Sequence, residues 1–181
     1  MFIPLRDDNP RRSVPVVTLA LILVSVVVQI YQAMMSPGRA LVFVHAAGAI
    51  PGEISKLRDF VHFPEHPSAI VPIPFTIITA MFVHGGWLHM ISNMWYLWLF
   101  GDNVEDTFGH VRFLLFYLIA GVVAAATQIA VDPQSLIPMV GASGAVAGVL
   151  GAYLLRYPHA RVHCLVFVIF FVTFVDVPAA F

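Results

Sequence analysis

The sequence predicts an all-α polytopic membrane protein, a bundle of helices that cross the bilayer. Three observations carry that prediction. The 181 residues are 60% hydrophobic and only 10% charged, with a mean hydropathy of +0.89, too few charges to coat a water-soluble surface. The apolar residues fall in long uncharged runs. Those runs lack the two-residue alternation of membrane β-strands, which leaves helices to satisfy the backbone in lipid.

Five runs read as spanning helices. Val14 to Met35 lies inside the uncharged stretch between Arg12 and Arg39. It is long enough for a hydrocarbon core of about 30 Å, which takes about 20 helical residues. No small-residue cleavage site follows, which argues against a signal peptide. The later runs are Val83 to Gly101, Phe113 to Val131, Gly141 to Leu155 and Val162 to Val175. Residues 1–13 form a polar N-terminal segment and residues 14–181 the transmembrane domain. Within it, residues 36–82 are broken by Pro37, Pro51, Pro64, Pro67, Pro72 and Pro74 and are expected to pack as a small element on the outer face.

Arginine placement orients the bundle. With a cytoplasmic N-terminus, the inner segments carry Arg6, Arg11, Arg12, Arg112, Arg156 and Arg161, and the outer ones Arg39, Lys56 and Arg58. Short loops count most in this bias, and all of them agree. The C-terminus is then expected outside. Asp102, Glu105 and Asp106 read as a solvated cytoplasmic turn, and Asp176 as a marker of the outer interface or a partner for a neighbouring helix. Cys164 is the single cysteine and has no intramolecular disulfide partner. His45, His62 and His66 show no metal-like spacing beyond the 62/66 pair, where Pro64 argues against a shared helix face.

Polar residues inside the spans point to chemistry. Ser143 stands in Gly141-Ala142-Ser143-Gly144, and Pro138 and Gly141 discourage helix before it. The helix from Ser143 to Arg156 is only roughly 20 Å long at 1.5 Å per residue, so Ser143 is expected below the outer surface. His89 and Asn93 are four apart, hence on one helix face. Both donate hydrogen bonds, as an oxyanion site requires. His84 is placed to line the same cavity, or to cap the helix. Each residue also has a plainer reading. Ser143 with Gly144, Ala147, Gly148 and Gly151 forms a small-residue packing face, and His89 or Asn93 could tie two helices together. An α/β-hydrolase elbow is ruled out, because it needs glycine where Ala145 stands.

Together these residues resemble the rhomboid family of intramembrane serine proteases. The resemblance rests on Pro4-Leu5-Arg6-Asp7-Asp8-Asn9-Pro10, which is similar to bacterial members. It rests further on Phe82-Val83-His84-Gly85-Gly86-Trp87-Leu88-His89 with Asn93, on Phe100-Gly101-Asp102-Asn103-Val104-Glu105-Asp106, and on Gly141-Ala142-Ser143-Gly144-Ala145. It implies a rhomboid-like fold with five of the usual six transmembrane helices, in a bacterial inner membrane. It implies Ser143 as nucleophile, and the Ala142 and Ser143 backbone N–H groups with the His89 and Asn93 side chains as the oxyanion hole. Gly141 and Gly144 would line the cavity. Transmembrane segments of other proteins would be the substrates and lipid the surroundings, with no cofactor, metal or nucleic acid.

One part of the family pattern is missing. The family's general base is a histidine on the sixth helix, and no such motif precedes Phe181. The chain therefore reads as a truncated product. His159 and His163 lie about 24 Å along the chain direction from Ser143 at helical rise, and His110 is also on the inner side. His84 is on the correct side, and so is His89, though using His89 as base would remove it from the oxyanion hole. Two readings follow, a serine protease whose activity needs the missing helix and a non-catalytic protein that grips transmembrane clients. A transporter is disfavoured, because no inverted repeat is visible.

Overall fold

The computed structural model describes residues 2–58, 71–168 and 171–180; His62 and His66 lie outside the described residues. In chain order the elements are strand β1 (Phe2–Asp7), helices α1 (Val16–Ala33), α2 (Pro37–Ala47) and α3 (Pro51–Lys56), a 3-10 turn Ile73–Phe75 running into α4 (Thr76–Thr79), helices α5 (Trp87–Phe108), α6 (His110–Val131) and α7 (Ser143–Arg156), and strands β2 (Arg161–Val168) and β3 (Phe171–Pro178). The chain is mostly helical. Four of the five expected spans are helices, with ends within a few residues of those read from the sequence, except that α5 runs on to Phe108.

Among the described residues, two helices, α1 and α6, are long and apolar enough to cross a membrane. Both keep large aliphatic side chains outward, including Leu23, Val27, Ile119 and Val123. Such surface is tolerated in lipid and costly in water. The other faces of α1, α5, α6 and α7 meet in one core around Leu97, Phe100, Phe113, Tyr117, Val149 and Tyr153. Phe100 and Tyr153 stand edge to face at 4.7 Å, a favoured aromatic geometry.

The fifth expected span is not a helix. Within it, β2 and β3 pair antiparallel, and β2 also pairs antiparallel with β1, giving the order β1-β2-β3. The fold is therefore helical with a small sheet rather than all-α. The run is dominated by valine and phenylalanine, which favour strands, and length and apolarity alone do not separate a buried strand from a helix. A period of two was present: Val162, Cys164 and Val166 are all buried in the core. The Ala179 N–H returns to the Ala160 carbonyl at 2.8 Å, so the strand pair ends beside its own start instead of crossing to the opposite end. Asp176 consequently sits across from His163, not at an outer interface.

The acidic residues after Gly101 are not a solvated turn either. They lie on α5, which stops only at Gly109, whose φ of +78° suits glycine. Helix α1 begins after Pro15 with no side-chain cap of its own. Buried Glu105 supplies one: its carboxylate accepts from the Val17 N–H at 2.9 Å, the Thr18 N–H at 2.8 Å and the Thr18 hydroxyl at 2.7 Å. His110 Nδ1 lies 2.5 Å from the same carboxylate. Asp106 does likewise for the Arg12 N–H and the Ser13 hydroxyl. An anion at a helix N-terminus satisfies orphan donors and opposes the helix dipole.

These contacts sort the loops by end. The start of α1, the α5–α6 junction and the end of α7 share one end of the bundle. Gln32 near the end of α1 reaches the His84 carbonyl at 3.1 Å, so the end of α1 meets the loop before α5 at the other. There, part of the segment 36–82 folds over the α6–α7 loop. Ala49 and Met139 exchange backbone hydrogen bonds of 3.0 and 2.8 Å, and the Gly52 N–H donates to the Ser135 carbonyl at 2.9 Å.

Candidate active site

Ser143 is the first residue of α7. The chain reaches it through Gly141, whose φ is +116°, a conformation that L side chains rarely adopt. The Gly141 N–H is held by the Ala80 carbonyl at 2.8 Å. A Cβ on Gly141 would lie 2.6 Å from His89 Cε1 and 2.8 Å from its Nε2. Glycine is thus required twice, by the backbone and by the imidazole packed against it.

That packing brings His89 to the serine. His89 stands in the first turn of α5, and its Nε2 is 3.5 Å from Ser143 Oγ. The contact is long for a hydrogen bond. Ser143 is exposed at a mainly apolar cavity of about 360 Å³ that also touches Ala80, Met81, Gly121, Gln128 and Gly141. At an α-helix start the first four N–H groups have no intrahelical partner, so the site combines a hydroxyl, an imidazole and backbone donors.

Asn93 is buried one turn deeper. Its Nδ2 donates to the His89 carbonyl at 2.8 Å, back along its own helix, rather than to Ser143. The Ala142 N–H, expected to face the oxyanion, instead donates to His84 Nε2 at 3.4 Å. His84 itself is fully buried. Gly144 does more than line the cavity: with Gly148 it lets α6 approach α7, since a Cβ at Gly148 would come within 2.5 Å of Ala120 Cβ and one at Gly144 would collide with Ala124. Close approach through small residues is how membrane helices associate.

Two histidines at the other end of the bundle are engaged elsewhere. His110 contacts Glu105, and His163 lies 2.5 Å from Asp176 and 2.7 Å from Asp8. Among the described residues, no group of three or more His, Cys, Asp or Glu is placed to hold a metal ion. Gln32, the Ala80 carbonyl and Met81, which fills the notch at Gly121, had no part in the sequence reading. A signal existed for Gln32: Thr18, Ser25, Gln29 and Gln32 recur at helical spacing on one face of an otherwise apolar α1.

The described chain is thus mostly helical and strongly apolar, with Ser143 at the start of a short helix and the His89 imidazole against it. Its relatives define the class. Residues 74–180 match the Rhomboid domain, and the chain belongs to the rhomboid family. It is 40% identical over 78 residues to the Rhomboid protease GluP of Bacillus subtilis, an alignment covering 43% of this chain and 15% of that protein. RHOMBOID-like protein 6, mitochondrial, of Arabidopsis thaliana is likewise 40% identical over 78 residues, covering 43% of this chain and 25% of its own. The presenilin-associated rhomboid-like protein, mitochondrial, of Bos taurus is 31% identical over 125 residues, 67% of this chain and 32% of its own length. The chain therefore spans no more than about a third of these relatives. No solved structure matches it.

Proposed function

We propose that this chain carries the nucleophile and oxyanion site of an intramembrane serine endopeptidase that cleaves transmembrane segments of other proteins. The observation that carries the reading is the approach of His89 Nε2 to Ser143 Oγ at 3.5 Å beside Gly141. The helices α1, α5, α6 and α7 cross a bacterial inner membrane as a polytopic bundle, with residues 1–13 cytoplasmic and the site near the outer surface, as the arginine distribution favours. Ser143 Oγ attacks the scissile carbonyl. Its oxygen then gathers negative charge, which the Ser143 N–H at the helix start, His89 and Asn93 stabilise. Asn93 turns from the His89 carbonyl toward the oxyanion for this, a rotation within its own side chain. The proton of Ser143 goes to a histidine on the sixth helix that the family resemblance implies. Bound lipid and the transmembrane substrate are the partners, and no metal or cofactor takes part.

The test is cleavage of a model transmembrane substrate in proteoliposomes, with a histidine-bearing sixth helix supplied in trans. Cleavage that appears with the helix and vanishes in Ser143→Ala is the expected result. A second reading, a non-catalytic rhomboid-like protein that binds transmembrane clients, is favoured by the engagement of the Ala142 N–H by His84. It predicts substrate capture without cleavage, unchanged by Ser143→Ala.

A further inference from the structure

His84 is bonded on three sides. Its backbone carbonyl accepts from Gln32 Nε2 at 3.1 Å. Its ring stands edge to face against the His89 ring, with centroids 5.3 Å apart and planes at 78°. Its Nε2 faces the Ala142 N–H at 3.4 Å, while Nδ1 faces the Phe82 carbonyl at 3.3 Å. A backbone N–H only donates and a carbonyl only accepts. Nε2 must therefore be the bare nitrogen and Nδ1 the protonated one: a single neutral tautomer satisfies both contacts.

We infer that His84 is a positioning residue of this site, a neutral hydrogen-bond acceptor that fixes the Ala142 peptide leading into Ser143 while its ring sets the orientation of His89. The inference rests on the reading of Ser143 as nucleophile. The turn at Gly141 is irregular backbone, and the peptide that follows it points the Ser143 N–H and Oγ. Two bonds pin this turn from opposite sides, the Ala80 carbonyl on the Gly141 N–H at 2.8 Å and His84 on the Ala142 N–H. Through the Gln32 bond, the same residue ties α1 to the site. The arrangement also rules His84 out as the serine's base, since its one free lone pair is already occupied by an amide proton.

Two substitutions separate acceptor from shape. His84→Phe keeps a ring against His89 and removes the acceptor; His84→Gln restores an acceptor at the Nε2 position. With the sixth helix supplied, kcat for Ser143-dependent cleavage is expected to fall about tenfold in His84→Phe at unchanged KM, the scale of an orphaned buried N–H. In His84→Gln it is expected to recover to within about threefold, a residual of well under 1.4 kcal/mol, with the pH profile of kcat unaltered. Amide exchange of Ala142, measured in the chain in nanodiscs, should be fast in His84→Phe and slow in the wild type and His84→Gln. Equal impairment of both variants, or loss of a titrating limb in His84→Gln, would overturn the inference. Cleavage indifferent to Ser143→Ala would instead sink the nucleophile reading. The positioning role would then stand or fall on the exchange data alone, and identical Ala142 exchange in all three proteins would remove it.

Discussion

Removing the Glu105 carboxylate should loosen the whole end of the bundle opposite Ser143. Its two oxygens are fully used: one accepts from the Val17 N–H and lies against His110, and the other accepts from the Thr18 N–H and hydroxyl. Glu105→Ala leaves two orphaned N–H groups at the start of α1, each worth about 1–3 kcal/mol when buried without a partner. The loss of an anion at the helix N-terminus adds about 0.3–1 kcal/mol. A total of roughly 4 kcal/mol follows, tempered by water reaching the Val17 side. Glu105→Gln should recover less than half of that, because an amide has one acceptor oxygen and turns two donors toward donors. Thr18→Val, which deletes only the hydroxyl, should cost about 1 kcal/mol. Reversible unfolding in mixed micelles measures all three. A Glu105→Ala loss below about 1 kcal/mol, or no coupling between Glu105→Ala and Thr18→Val in a double-mutant cycle, would refute the capping argument.

Three further outcomes are expected. Gly141→Ala places a methyl against His89 in a backbone conformation at φ +116°; it should cost about 1–3 kcal/mol and abolish fluorophosphonate labelling of Ser143 in the presence of the sixth helix, whereas labelling at wild-type rate would contradict the geometry. Gly148→Val, against Ala120 Cβ at 2.5 Å, should destabilise the α6–α7 pair by about 1–3 kcal/mol, read as a lowered Tm. Hydrogen bonds donated by the His163 ring to Asp8 and Asp176 raise the His163 pKa above its ordinary 6.5, and the bond to Asp8 lowers the Asp8 pKa below 3.8. The clip joining β1, β2 and β3 is therefore fully made between those two ordinary values, weakening as pH rises through the raised His163 pKa or falls through the lowered Asp8 pKa. An NMR titration of the His163 ring should show a midpoint above 6.5 that moves down in Asp8→Asn, and a midpoint at or below 6.5 in the wild type would contradict the clip.

Four helices were legible because charge, proline and glycine bound each uncharged run. Strands β2 and β3 were not, since a run of valine and phenylalanine satisfies a hydropathy window whether it is coiled or extended; the buried triplet Val162, Cys164 and Val166 held the answer in its spacing. Glu105 and Asp106 were misread for a different reason. An acidic residue looks solvated unless its partner is known, and theirs include backbone donors 87 to 94 positions away. At the site, the nearness of His89 and Ser143 follows from each standing in the first turn of its helix at the same end of the bundle. The partner of the Ala142 N–H was invisible, because a loop's hydrogen bonds depend on how two turns are docked rather than on spacing within either. Four-residue spacing put Asn93 on the same helix face as His89 but did not reveal that it would bond to the carbonyl of His89.

The central claim is that Ser143 is a nucleophile. The direct measurement is mass-spectrometric mapping of fluorophosphonate adducts on the chain in a bilayer, with a histidine-bearing sixth helix supplied in trans. The account predicts a single adduct at Ser143, absent in Ser143→Ala and slowed by about 10²–10³ in Asn93→Ala, the range for loss of one oxyanion donor. No adduct at Ser143 under those conditions, or adduct formation unchanged by Asn93→Ala, would contradict it.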